Sequence, residues 1–261
     1  MDLPDAIDFV RPSIVQVGAL TAGEHRPTVL GTGFLIHAHG YAVTARHVTR
    51  AAQRLGASTQ IVVSLAMPNM DVGGVQLRGN FKVERCELVK EDPRHDLALV
   101  KLHRNPVAAG GSTGMHVGEG SVAIGAMSGV AEADMTRPRD GEPVAVSGYP
   151  LANPVLITTS GAIASAWATD IADVHPPGTP EGFVMPDIRD SYIADVAVNP
   201  GNSGGPAYTV RDGRVLGVCV AFQTAEARIG EAEDLFRYNS GLCIIVPIQY
   251  GLALLHRHAP A

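Results

Sequence analysis

Cysteine is scarce in this chain: Cys86, Cys219 and Cys243 are three among 261 residues. An odd number without CxxC or metal-type spacing argues against the disulfide framework that staples small secreted domains. Burial as small apolar side chains is the expected fate of all three, although Cys219 and Cys243 both fall in strand-like runs and one pair can meet. Positive charge is also short. Twenty Lys and Arg against 26 Asp and Glu give a formal net charge of −6, which leaves no global basic footprint for phosphates or anionic headgroups. Nucleic acid and membrane surfaces are therefore not expected as partners, and no run approaches the roughly 20 apolar residues of a membrane span. The first ten residues carry Asp2, Asp5 and Asp8 and lack the basic start and apolar core of a secretory signal. Together with the cysteine usage, this sets the expectation of a cytoplasmic protein.

Glycine and proline are plentiful: 29 Gly and 18 Pro accompany 46% hydrophobic and 18% charged residues. That balance fits many short strands joined by tight turns better than a helical bundle, so the expected fold class is all-β. Strand-like runs fall at 13–20, 28–36, 41–44, 60–65, 74–77, 81–89 and 97–102, enough for a first barrel. A stretch rich in Gly and Pro from about Arg104 to Asp140 has weak periodicity and reads as a long connection carrying one or two strands. Runs at 143–147, 155–159, 162–167, 192–198, 206–209, 215–222 and 241–246 make a second barrel. After Pro247, apolar Ile248, Leu252 and Leu255 recur at helical spacing and predict a C-terminal helix over 248–258. Residues 170–190 read as an extended surface loop. The expected division is an N-terminal β-barrel over 1–105, a connection over 106–140, and a C-terminal β-barrel with its helix over 141–261.

Chemistry concentrates in NPGNSGGP, residues 199–206, where Ser203 sits in a glycine-dense turn after an apolar run. Glycines there let the backbone curl so that successive N–H groups face one concavity, as stabilising a tetrahedral oxyanion requires. A serine hydroxyl is a weak nucleophile and needs a base within hydrogen-bond reach, itself oriented by a carboxylate. GYAVTARHV, residues 40–48, places His47 just after an apolar strand, with GTGFLI (31–36) as its hairpin partner. DPRHDLALVKL, residues 92–102, places Asp96 at the entrance of another strand. Gly201–Gly205 also satisfies GxSxG, the elbow of α/β-hydrolases, but that motif needs a helix after the serine and the order Ser, acid, His. Pro206 and strand-like runs follow Ser203 instead. His37 and His39 lie two apart without a third ligand nearby and read as turn residues, as does His95, expected to be exposed; no metal site is expected.

TARHV, HDLALVKL and PGNSGGP together resemble the His, Asp and Ser boxes of trypsin-like serine peptidases, and the pattern from about Ser13 to Tyr250 is most similar to the bacterial HtrA-type branch. The resemblance implies two six-stranded antiparallel barrels of chymotrypsin type with a C-terminal helix. It implies His47 as general base and then acid, Asp96 as the group fixing its tautomer, and Ser203 as nucleophile. The N–H groups of Gly201 and Ser203 would form the oxyanion hole, and the chemistry calls for neither cofactor nor metal. Asn202 stands where digestive relatives carry an Asp that pairs with a newly cut N-terminus, so activation by such cleavage is not expected; the oxyanion loop would be ordered by substrate, an activating protein partner or homo-oligomer contacts. The pocket implied for the residue before the scissile bond has Ala197 and Val198 at its base and Cys219, Val220, Ala221, Phe222 and Ile245 in its walls. These apolar residues would favour a small or medium aliphatic side chain of a polypeptide substrate over Lys or Arg. HtrA-type enzymes typically add a PDZ module, for which a chain ending at Ala261 leaves no room. A catalytically silent trypsin-like fold that binds proteins remains the alternative.

Overall fold

The computed structural model describes residues 1–66, 70–72, 75–77, 81–107, 113–117, 120–124, 129–166, 190–229 and 234–259. A short helix, α1 (Leu3–Val10), opens the chain; Pro4 stands in its first turn and the Asp2 side chain accepts the Asp5 N–H at 2.9 Å, a cap that satisfies one orphan donor of that turn. There follow β1 (Ile14–Thr21), β2 (Thr28–His37), β3 (Tyr41–Ala45), helix α2 (Arg46–Arg54), β4 (Thr59–Ala66), β5 (Met70–Val72), β6 (Val75–Leu77), β7 (Phe81–Asp92) and β8 (Leu97–Leu102). Strands β1–β2–β3–β8–β7–β4 close a six-stranded barrel of antiparallel pairs, and β5 with β6 forms a separate hairpin. The connection contains a second hairpin, β9 (Thr113–Val117) with β10 (Gly120–Ile124).

The second half comprises β11 (Pro143–Gly148), β12 (Ile157–Ser165), β13 (Tyr192–Asp195), β14 (Pro206–Thr209), β15 (Val215–Ile229), β16 (Asp234–Pro247) and α3 (Ile248–His258). Here β11–β12–β13–β16–β15–β14 closes another six-stranded antiparallel barrel. Fold class and terminal helix thus follow the sequence reading, with local corrections. The runs at 155–159 and 162–167 join into one strand. Gly161 keeps β12 continuous because a Cβ there would lie 1.8 Å from the Asp195 carbonyl oxygen, so only glycine admits the neighbouring strand. The run at 74–77 lies outside the barrel. Strands β15 and β16 continue as a two-stranded arm to the pair Ile229 and Asp234, beyond the alternation that marked them. Helices α1 and α2 were not anticipated. The surface loop expected over 170–190 lies outside the described residues except at Asp190.

One apolar cluster runs from the first barrel, through Phe34, Val43, Leu97 and Leu99, into the contact between barrels at Tyr149, Tyr208, Val218, Val246 and Ile248. Each such side chain stabilises the fold by about 1.5–3 kcal/mol on burial. The two tyrosine rings are fully buried, and Tyr208 Oη meets Ser147 Oγ at 2.8 Å, so its polar end is paired. Val144, Ile163, Val198, Leu216 and Ile245 fill the second barrel. Helix α3 buries Ile248, Gly251, Leu254 and Leu255 and packs on β7, β8 and β15, so the tail of the second barrel fastens the first. Its last turn carries His256, Arg257 and His258, favourable at the negative end of the helix dipole when charged.

Candidate active site

His47 lies in the first turn of α2, whose N-cap residue, Ala45, has no side chain able to cap it. First-turn N–H groups have no partner within their own helix; here Asp96 supplies both. Its carbonyl oxygen accepts the Arg46 N–H at 2.7 Å and its Oδ1 accepts the His47 N–H at 3.0 Å. The other oxygen, Oδ2, lies 2.5 Å from His47 Nδ1. Asp96 reaches this position from the turn before β8 with φ of 53°, a left-handed conformation that Asp adopts more readily than most residues. Its carboxylate is 5% exposed while the His47 ring is 48% exposed. A carboxylate facing Nδ1 keeps the proton there in neutral imidazole and leaves Nε2 as the acceptor. Helix α2 is fastened to β7 by Glu91, which takes Arg46 Nε at 3.2 Å and also binds Arg50.

Ser203 lies in the loop 199–205 between β13 and β14. Four carbonyls around the serine are engaged: Pro200 O by Leu151 N–H at 2.7 Å, Gly201 O by Thr32 Oγ1 at 2.6 Å, Asn202 O by Gly205 N–H at 2.8 Å, and Ser203 O by Thr32 N–H at 2.9 Å. Asn202, 4% exposed, spends its Oδ1 on the Asn199 N–H at 2.9 Å. Gly204 N–H goes to Cys219 O at 2.7 Å and Asn202 N–H to Asn199 O at 3.0 Å. Among the described residues, the N–H groups of Gly201 and Ser203 have no acceptor. Both residues are half-buried, and two free N–H groups in a glycine loop are donors of the kind that can receive a negatively charged oxygen. Gly201 has φ of 105°, and a Cβ on it would lie 2.5 Å from Tyr149 O; any other residue would collide with backbone.

The structure brings His47 and Asp96 into direct contact. It brings Ser203 beside the same barrel through Thr32 and Gly31, where a Cβ on Gly31 would lie 2.8 Å from Ser203 O and 2.6 Å from Val48 Cγ2. Among the described residues Ser203 Oγ makes no hydrogen bond to His47; such bonds often tighten only when substrate is bound. Of the residues expected to form the pocket, Val198, Cys219 and Ile245 belong to the core of the second barrel. Val220 joins the cluster between barrels, Ala221 and Phe222 are partly buried, and Ala197 is exposed. Cys219 Sγ and Cys243 Sγ meet at 3.4 Å as buried free thiols. A cavity of about 650 Å³ lined by Met1, Arg139, Asp140, Glu142, Pro143 and Arg211 involves no member of the His, Asp and Ser set.

His95 is corrected: it is 8% exposed, stacked on Tyr250 with ring centroids 3.6 Å apart, and its Nδ1 lies 2.7 Å from Asp92 Oδ2. Tyr250 Oη in turn donates to Asp190 Oδ2 at 2.8 Å; burial, and then this bond, push its phenol above the usual tyrosine value. His37 and His39 do form a local pair, with ring centroids 4.8 Å apart. Burial first, then His39, Lys101 and His256, hold the His37 imidazole below its ordinary value. Thr32 and Leu151 escaped the sequence reading. Thr32 lay in plain view within GTGFLI, but hydrophobic alternation says nothing about a hydroxyl aimed at another barrel.

Two closed barrels that bring a histidine, a buried aspartate and a glycine-cradled serine to their junction define the class of trypsin-like serine peptidases. The model of the trypsin-like peptidase domain matches residues 31–218, and the chain belongs to that family. It is 28% identical over 219 residues to a protein of Ectopseudomonas mendocina named "Probable periplasmic serine endoprotease DegP-like", covering 81% of this chain and 33% of that protein. A protein of the same name in Bartonella henselae is 30% identical over 213 residues, 79% of this chain and 31% of the relative. The chain thus spans about a third of the length of these relatives. The crystal structure of the serine endoprotease from Yersinia pestis shares the fold, with a TM-score of 0.59 at 19% identity over 98% of this chain and 66% of that one.

These names overturn the expectation of a cytoplasmic setting, since the relatives are named periplasmic. The physical reason lies in the packing. Two barrels that bury all three thiols, unpaired, inside their own cores are stable without disulfides, so the scarcity of cysteine does not report the compartment.

Proposed function

We propose that this chain is a serine endopeptidase domain that hydrolyses peptide bonds through an acyl-enzyme, with His47, Asp96 and Ser203 as the triad. The observation that carries the reading is the double grip of the Asp96 carboxylate on the backbone N–H and the Nδ1 of His47. That grip fixes the tautomer in which Nε2 takes the Ser203 proton as Oγ attacks the scissile carbonyl. The carbonyl oxygen, now an oxyanion, is received by the free N–H groups of Gly201 and Ser203, which supply the electrostatic stabilisation such reactions chiefly need. His47 then returns the proton to the leaving amine. Water attacks the acyl-enzyme in the second half, with His47 again as base, and Ser203 is restored.

Cleavage after small or medium aliphatic residues is part of the proposal: of the expected pocket set, Ala197, Ala221 and Phe222 keep exposed surface, and none of them offers a carboxylate to a Lys or Arg side chain. Latency is part of the proposal because Asn202, its Oδ1 bound to the Asn199 N–H, offers no carboxylate to a newly cut N-terminus. Substrate, a partner protein or a further copy of the chain would then order the oxyanion loop. The test is labelling with a fluorophosphonate serine probe, together with hydrolysis of an unfolded protein substrate. Wild type should react and Ser203→Ala should not. Equal labelling of both proteins overturns the assignment of Ser203, and no reaction with the probe or with unfolded substrates favours the silent binding fold.

A further inference from the structure

We infer that Thr32, on the first barrel, is a positioning residue that pins the loop carrying the oxyanion-hole donors on the second; the inference rests on Ser203 being the nucleophile. Thr32 is fully buried and meets the loop 199–205 with two groups. Its Oγ1 donates to Gly201 O at 2.6 Å, and its N–H donates to Ser203 O at 2.9 Å. The same Oγ1 accepts the Tyr149 N–H at 3.0 Å. A hydroxyl has one proton to give, and with that N–H bound, its proton is directed to Gly201. Thr32 O in turn accepts the Thr44 hydroxyl at 2.6 Å, which fastens the residue from behind, on the strand that leads into the helix carrying His47.

The consequence follows from peptide geometry. Each peptide unit is planar and trans, so its N–H points opposite to the carbonyl of the same unit. The units on both sides of Gly201 are held by their carbonyls: Pro200 O by Leu151 N–H at 2.7 Å, and Gly201 O by Thr32. The units on both sides of Ser203 are held likewise, through Asn202 O by Gly205 and through Ser203 O by Thr32. The Gly201 and Ser203 N–H groups lie in the units held by Leu151 and Gly205, while the units held by Thr32 carry the Asn202 and Gly204 N–H groups, bonded to Asn199 O and Cys219 O; Thr32 thus fixes the far side of each donor residue. Glycine at φ of 105° has no Cβ to resist rotation of its units, so the orientation has to be imposed from outside. Thr32 contributes by pinning the unit that follows Gly201 and the unit that follows Ser203, so neither residue can turn about its own Cα.

The surroundings of the side chain fit this role. Its Oγ1 would lie 2.9 Å from a Cβ on Gly148, its Cγ2 3.3 Å from one on Gly205 and its O 2.1 Å from one on Gly204. Three glycines have thus made room around one threonine. Because Thr32 belongs to β2 and the loop to the other barrel, the oxyanion site is complete only when the barrels are docked. A shift between barrels would release Gly201 first, which supplies a physical route to the latency described above.

The test is Thr32→Val, which keeps the shape and removes the hydroxyl, beside Thr32→Ser, which keeps the hydroxyl. Removal of an oxyanion donor typically costs about 10²–10³ in kcat, and a donor that is only misdirected should cost about 10-fold to 100-fold. Thr32→Val should therefore lose that much kcat with KM within about 2-fold, and its affinity for a peptide aldehyde, which forms a tetrahedral adduct, should fall in parallel. Thr32→Ser should recover kcat to within about 3-fold. An active Thr32→Val with kcat within about 2-fold of wild type overturns the inference, as does a loss confined to KM. If Thr32→Val does not fold, Thr32→Cys, whose thiol is a weak donor, takes its place. A wild type without hydrolysis or probe labelling tells instead against the peptidase reading. In that case the amide signal of Gly201 in 15N-labelled protein decides: a changed shift in Thr32→Val with a wild-type shift in Thr32→Ser supports the clamp, and an unchanged signal in Thr32→Val overturns it.

Discussion

Asp96→Asn isolates the chemistry of the site from its architecture. Asn, like Asp, tolerates the left-handed backbone found at φ of 53°, and its volume is nearly the same, so the turn before β8 should persist. What changes is donor count. Asp96 offers two acceptors, one to the His47 N–H at 3.0 Å and one to His47 Nδ1 at 2.5 Å. Asn offers a single acceptor and an NH2 group. The backbone N–H can only donate, so the amide oxygen must face it and the NH2 is turned toward Nδ1. Nδ1 then has to accept, the imidazole proton moves to Nε2, and the base that Ser203 needs is gone. The expected loss is about 10⁴-fold in kcat, about 5.4 kcal/mol of transition-state stabilisation. Stability should fall by only about 0.3–1 kcal/mol, from removing a negative charge at the start of α2. The assay is kcat and KM on an unfolded protein substrate alongside thermal unfolding. A variant that keeps kcat within about tenfold of wild type would refute the tautomer argument, and a collapse of the melting temperature would show that Asp96 is chiefly a structural cap.

Gly201→Ala should remove most of the activity while leaving the barrels folded. A Cβ there would meet Tyr149 O at 2.5 Å and Pro150 Cα at 2.9 Å, so the loop must move and misplace its donor, for an expected loss of about 10²–10³ in kcat; full activity would contradict the assigned hole. The three cysteines should resist thiol reagents in the native protein. Burial, and next Glu87, push the Cys86 thiol up to about 12, while the bond to Cys219 and then burial raise Cys243, so mass spectrometry should find alkylation only after unfolding. Acid should weaken the second barrel through Asp212 and Asp134. Burial opposes their charge, but bonds from Thr209, Arg214 and Thr136 and the Arg211 guanidinium outweigh it and hold both carboxyls below the ordinary value. A folded value below the unfolded one gives stability that is complete above the unfolded value and lost as pH falls through the folded one. The unfolding midpoint should thus hold steady down to about pH 5 and drop below about pH 4, less steeply in Asp212→Asn; identical acid profiles would remove these carboxylates from the account.

Much of the site was legible because its chemistry is local in sequence. NPGNSGGP announces a glycine turn around a serine, TARHV and HDLALVKL each place one titratable group at a strand end, and the alternation of apolar residues marks the strands of both barrels. The limits are equally local. His95 looked like an exposed turn residue because nothing near it announces Tyr250, which arrives from α3. The far parts of β15 and β16 broke the alternation because, among the described residues, no third strand pairs with them, so neither face is forced to be apolar. The compartment was misjudged because cysteine scarcity was taken as a redox signal when packing had already made disulfides unnecessary.

The sequence by itself thus determined the class of fold and the places of the His, Asp and Ser boxes along the chain, properties of residue type and short-range spacing. Only the tertiary structure decided that the Asp96 carboxylate grips His47 at two points, that Ser203 rests without a bond to it, and that Thr32 holds the oxyanion loop from the opposite barrel. The reason is physical: direction in a hydrogen bond depends on where two distant backbones are held relative to one another. That relation is fixed by the packing of one barrel on the other, with Tyr149, Tyr208 and helix α3 between them.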